Sequence, residues 1–195
     1  MWTWIKRLFG SKSDASQAPA SPNSVSASSP SFTVEPPKTT YDERKVHTPN
    51  KGSKVIIPSA VVLHHSDGSY RGGVEWLASP VSKVSYHVLI ARDGRRTVFC
   101  NDTERAWHAG RSNWQGRGDL NSWSLGLAWE GNTYDYPLGD DAMASAIEYL
   151  VPRMKKWGIP MNMVVTHQQV SPTRKTDISP GDADRFRTKL KAALN

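Results

Sequence analysis

At 195 residues, with a formal net charge of +7 and a pI of about 9.6, the chain holds one domain of ordinary size plus a tail. The charge points to an anionic partner or setting: nucleic acid, a membrane surface or bacterial cell wall. The single cysteine, Cys100, excludes an internal disulfide and a cysteine-built zinc site, and no apolar run is long enough to read as a membrane-spanning helix.

The chain opens on MWTWIKRLFG, with Trp2, Ile5, Leu8 and Phe9 near one helical face. Lys6 and Arg7 interrupt the apolar residues and no small-residue cleavage site follows, so no Sec signal is recognised. Residues 1–10 read either as a frayed terminus or as an amphipathic turn making weak membrane contact. Ser, Pro and Ala dominate residues 11–38, a composition that buries too little apolar surface to offset its ordering entropy. A disordered tail and linker is therefore expected over residues 1–52, and the folded domain over residues 53–195. Removal of residues 1–50 is expected to cost little stability.

Within the domain, AVVLHHS (60–66) has the form of a buried strand, and GGVEWLAS a short helix stopped by Pro80. SYHVLIARDGRRTVFC contains two β-rich runs around Asp93-Gly94, a strong hairpin signal, with Cys100 as a small apolar filler. WSLGLAWEG (123–131) is a further strand. Residues 140–157 place Met143, Ile147, Leu150, Val151 and Met154 at helical spacing, with Pro152 expected to kink the helix or restart it. MVVTH (163–167) is a last strand, and Asp182 is a candidate N-cap for a terminal helix carrying Phe186, Leu190 and Leu194. The fold class is α/β (α+β): a central sheet with helices packed against it.

Three metal-ligand candidates stand at or just after the ends of apolar runs: His64, His167 and Asp177. A lone histidine is more often a hydrogen-bonded structural residue, and an aspartate before a Pro-Gly turn is usually a turn former, so spacing leaves both readings open. Lys175 lies two residues before Asp177, in the same turn-rich loop.

Taken in order, VVLHHS, SYHVLIARDG, RAWHAG, SLGLAWEG and THQQVSPTRKTD resemble the zinc-dependent type 2 N-acetylmuramoyl-L-alanine amidases, a family that includes phage lysozymes, bacterial anhydro-muropeptide amidases and peptidoglycan recognition proteins. The resemblance spans about Val61 to Pro180. It implies a mixed sheet flanked by helices, with a zinc ion held by His64, His167 and Asp177, and Lys175 placing positive charge where an oxyanion develops. His65, on the opposite strand face from His64, is not expected to be a ligand. In the anhydro-muropeptide amidases a glutamate lies two residues after the glycine of SLGLAWEG; here that position is Ala128. The phage enzymes carry a tyrosine before the hairpin, matched by Tyr86, which is assigned to the attacking water. Glu130 is kept as the weaker candidate.

Trp107 and His108 are expected to contact substrate from a groove wall, with His108 donating to a carbonyl. His87 is expected to face the core, and Trp114 and Trp123 to pack there. The implied substrate is peptidoglycan or a muropeptide, and the implied reaction is hydrolysis of the bond between N-acetylmuramic acid and L-alanine. The favoured role is a phage or prophage endolysin or cell-wall amidase. A non-catalytic recognition module and a cytoplasmic anhydro-muropeptide recycling amidase are the alternatives. The protein is read as a monomer that binds no nucleic acid. It is expected in the host or bacterial cytoplasm before release, and in the periplasm and cell wall when acting.

Overall fold

A computed structural model describes residues 40–195; the expectations for residues 1–39, including the amphipathic turn, lie outside the described residues. Strands β1 (Glu43–Lys45), β2 (Lys51–Val55) and β3 (Ala60–His65) precede helix α1 (Tyr70–Ala78). β4 (Val88–Ile90) and β5 (Arg96–Val98) form the hairpin around Gly94, followed by β6 (Glu104–Ala106), β7 (Asn113–Trp114) and β8 (Arg117–Gly118). β9 (Ser124–Trp129), α2 (Asp140–Trp157), β10 (Val164–Thr166), α3 (His167–Val170) and α4 (Pro180–Leu194) complete the chain.

Six strands form a mixed sheet in the order β1-β5-β4-β9-β3-β10. β3 lies next to the edge strand β10, parallel to it on one side and to β9 on the other. Its side chains alternate as a strand requires. Val61 and Leu63 join Leu125, Leu127 and Trp129 in the core beneath α2 and α4. Ala60 and Val62 face the opposite side with Trp123 and Val165. Leu89 and Ala128 pack on that second side under Tyr70, Val74 and Leu77 of α1. The alternation sends His64 to the second side and His65 to the first. Among the described residues no helix is long and apolar enough to cross a membrane.

Three local expectations need correction. The ordered domain begins before residue 53, because β1 pairs in parallel with β5 and β2 pairs with β6. The cause is non-local. Arg96, almost fully buried, donates through Nε to Glu43 at 2.7 Å and through Nη2 to Glu148 of α2 at 2.9 Å. Nothing in the polar run YDERK announces that partner. Second, the helix does not restart at Pro152: α2 is continuous from Asp140 to Trp157, with Pro152 on its exposed face, where a carbonyl left without its amide partner can take water instead. Third, Ser179 is the N-cap of α4 and Pro180 opens it, while Asp182 lies inside the first turn. The Asp182 carboxylate accepts from Ser179 Oγ and from the Leu138 amide, tying the helix start to the loop before α2.

Candidate metal centre

β3 carries His64, its last residue but one, on the second side of the sheet, where it is fully buried, and the chain leaving β10 brings His167 alongside. His167 is the first residue of α3, whose start is held by a capping box. Thr166 Oγ1 accepts from Gln169 N at 3.1 Å, while Gln169 Oε1 accepts from Thr166 N at 2.9 Å. The following loop returns Asp177 to the same point, and Gln168 N donates to the Asp177 carbonyl at 2.8 Å. His64 Nδ1 lies 3.0 Å from His167 Nδ1, and both lie 3.1 Å from Asp177 Oδ2. All three residues are buried. Donors about 2.0–2.1 Å from one tetrahedral ion would stand about 3.3 Å apart, so the spacing fits a single small cation.

The surrounding hydrogen bonds decide which imidazole nitrogens carry protons. His167 Nε2 faces the Ala109 carbonyl at 3.1 Å, an acceptor only, so it must donate and leave Nδ1 as a lone pair. For His64 the logic takes three steps. Ser124 Oγ donates to the Leu120 carbonyl at 2.6 Å, so it accepts from His108 Nε2 at 3.4 Å. His108 Nδ1 is then unprotonated and accepts from His64 Nε2 at 3.1 Å. His64 Nδ1 is left as a second lone pair. Two lone pairs and a carboxylate oxygen thus converge with no proton assigned between them, the environment a cation completes.

Electrostatics agree. Burial, and then the charge of His167, press the His64 pKa down to about 4, against the pull of Asp177. Burial alone would raise the Asp177 carboxyl; the hydrogen bonds and charge of His167 and His64 hold it well below the usual carboxylate range. The Lys175 ammonium is near enough to depress His64 further.

His108 turns inward to His64. It is 6% exposed and serves as the acceptor that orients His64. Gly126 makes room for it: a Cβ there would lie 2.5 Å from the His108 ring. Asn121 Oδ1 fixes the loop by accepting from the amides of His108 and Ala109 at 3.0 and 2.7 Å. Arg174 Nη2 donates to the Ala109 carbonyl at 2.7 Å. Trp107 is half-buried and joined through its amide to Ser85 Oγ, beside Tyr86. The Tyr86 ring lies 5.0 Å from that of His64. Its phenol is raised above its ordinary pKa by burial, then by Asp177 and Asp67, so it is protonated at neutral pH.

Glu130 is drawn elsewhere. Its two oxygens accept from the amide of Tyr70, the first residue of α1, at 2.9 Å and from that of Arg92, in the turn after β4, at 3.1 Å. It lines a cavity of about 740 Å³ with Arg44, Tyr70 and Arg95, which none of the three donors borders. Ala128 pairs with His64 in register and offers the site only a methyl group. His87 is buried, donating through Nε2 to the Glu104 carbonyl and accepting at Nδ1 from Gly126 N. Sequence reasoning missed Asn121, Arg174 and Thr133, ordinary polar residues whose partners are distant in the chain.

The mixed sheet, with two imidazoles at the ends of adjacent parallel strands and a carboxylate returned to them by the loop before α4, defines the class: an α/β domain with a donor set for one metal ion. Comparison with known proteins makes this specific. Residues 51–182 match the family model described as N-acetylmuramoyl-L-alanine amidase, and the chain belongs to that family. It is 39% identical over 113 residues to the 1,6-anhydro-N-acetylmuramyl-L-alanine amidase AmpD of Haemophilus influenzae, covering 56% of this chain and 60% of that protein. It is 27% identical over 135 residues to the amidase AmiD of Escherichia coli, covering 62% and 48%. The chain thus spans about half to three-fifths of these relatives. A crystal structure of an AmpD derivative superposes with a TM-score of 0.63 at 26% identity, over 79% of this chain and 95% of that one. The PlyG catalytic domain shares the fold, with a TM-score of 0.61 at 20% identity over 78% and 95%.

Proposed function

We propose that this protein hydrolyses the amide joining the lactyl group of N-acetylmuramic acid to L-alanine, acting on anhydro-muropeptide fragments. The observation that carries the reading is the convergence of His64 Nδ1, His167 Nδ1 and Asp177 Oδ2 in a chain of this family. The identity to the anhydro-muropeptide amidase favours small fragments over the endolysin role expected from the tail, since the likeness to PlyG is one of fold alone.

Two histidines and a carboxylate suit zinc, which when bound supplies a Lewis acid and an acidified water. The protein's own residues do the remaining work. His108 and the Ala109 carbonyl hold the two imidazoles as neutral donors. Asp177 supplies the balancing negative charge. Water adds to the amide carbon, negative charge gathers on the former carbonyl oxygen, and the Lys175 ammonium stabilises it there. The protonated Tyr86 phenol donates a hydrogen bond that orients the reacting groups, and the C–N bond then breaks as the amine takes a proton. With Ala128 in place of a carboxylate and Glu130 committed to two amides, Tyr86 is the polar group left beside His64 for this task.

Purified protein with about one zinc per chain should release stem peptide from anhydro-muropeptide, detected by mass spectrometry, and lose that activity on chelation. Full activity without metal would sink the reading. Turnover of intact sacculi faster than of anhydro-muropeptide would favour the wall-degrading role instead.

A further inference from the structure

The loop from residue 171 to residue 179 carries both Asp177 and Lys175, yet the two are held differently. Asp177 is fixed by both imidazoles and by the Gln168 amide. Just beyond it, Ser179 N donates to Thr133 Oγ1 at 2.9 Å. Among the described residues, Lys175 is hydrogen-bonded only through its amide, which shares the Ser171 carbonyl with that of Arg174, each at 3.0 Å. Between them lies Thr176, exposed, whose carbonyl accepts from Tyr134 Oη at 3.0 Å across 42 residues of chain.

The turn that presents Tyr134 is itself built onto the end of β3. Thr133, 2% exposed, points both its amide and its hydroxyl at His65 Nδ1, at 3.2 and 2.9 Å. His65 Nε2 then carries the proton and faces Asp67 at 3.3 Å, and Asp67 in turn accepts from Asn132 Nδ2 at 3.1 Å. The Tyr134 ring stands edge-on to His65, centroids 6.3 Å apart. A rigid post therefore rises from the residue next to the ligand His64, and its phenol meets the peptide that joins Thr176 to Asp177.

We infer that Tyr134 is a positioning residue, clamping the Thr176 carbonyl so that the Lys175 ammonium is held in register with the metal centre. The inference rests on the amidase reading for what Lys175 does, and on geometry alone for how it is held. A lysine has four rotatable bonds, so its charge reaches a developing oxyanion only if its backbone is steady. A misplacement of about 1 Å can cost on the order of 10² in rate. Tyr134 is 49% exposed, so losing its hydroxyl leaves the core intact.

Tyr134→Phe in the zinc-loaded protein should lower kcat about tenfold with KM and zinc content unchanged. In a Lys175→Ala background the same change should cost nothing further, because the clamp acts through the ammonium; a merely structural role would give additive losses. Amide hydrogen exchange over residues 174–177 should quicken about fivefold, the equivalent of one net hydrogen bond. Unchanged exchange, additive losses or loss of zinc would overturn the clamp. If the wild type proves inactive on muropeptide while Tyr134→Phe still quickens exchange, the amidase reading falls and the clamp stands.

Discussion

His87 shows how a buried imidazole contributes to stability without touching the chemistry. Its Nδ1 accepts from Gly126 N and its Nε2 donates to Glu104, so the neutral form satisfies both neighbours. Burial is the main cause holding its pKa at about 4 in the fold, against 6.5 when unfolded. Because the folded value is the lower one, the unfolded chain takes up a proton first as pH falls. Stability is full above about pH 6.5 and declines toward pH 4, by about 3 kcal/mol for this one residue. Denaturant midpoints measured from pH 7 to 4.5 should show that decline, and His87→Gln should flatten it by about one proton. An equally steep profile in the variant would place the effect elsewhere. Tyr86 and Glu130 also separate at this scale. Tyr86→Phe should lower kcat about a hundredfold with little change in KM, the low end for a positioned proton-handling group. Glu130→Gln should cost less than about tenfold, its damage falling on the start of α1. The reverse order of losses would return the water to Glu130.

At the scale of elements, β1 is an edge strand tied down by charge more than by apolar contact. Arg96 reaches Glu43 of β1 and Glu148 of α2 from an almost fully buried position. Arg96→Ala should destabilise the protein by about 3 kcal/mol, the low end for a broken buried pair because both glutamates keep some access to water. Truncation separates the tail from the strand. Residues 11–38 are dominated by Ser, Pro and Ala, a composition with little apolar surface to bury, so removing residues 1–39 should hardly move the melting temperature. Removing residues 1–50 takes β1 away, leaves Arg96 short of a partner, and should lower it by several degrees. Equal melting temperatures would show that β1 contributes nothing. The parallel pairing of β9 with β3 makes a sharper demand. Gly126 lies under the His108 ring, so Gly126→Ala must displace the acceptor that orients His64. Zinc affinity in the variant should fall about ten- to a hundredfold, read by competition with a chelating dye. Unchanged affinity would mean that His64 needs no help in choosing its tautomer.

Across the whole molecule, metal and fold are coupled, since the three donors come from β3, the start of α3 and the loop before α4. An ion held by all three donors would bind this assembled set and not an extended chain, so chelating the zinc-loaded protein should lower its melting temperature in a zinc-concentration-dependent way. The sequence by itself determined the strands and helices whose apolar period is strong, the hairpin at Asp93-Gly94, and the candidate donors at the ends of apolar runs. Those features are local: burial imposes period 2 or 3.6, and a ligand at a strand end stands just after the apolar residues that bury the strand. Only the tertiary structure decided the rest. It placed β1 in the sheet through an arginine 53 residues away, because an ion pair leaves no period in either segment. It turned His108 from a presumed groove residue into the partner of His64, since a histidine in RAWHAG is the same whether its ring faces solvent or Gly126. It also set Tyr134 over the lysine loop, a contact made by two turns that share no pattern and meet only once the fold has brought Thr133 and Ser179 together.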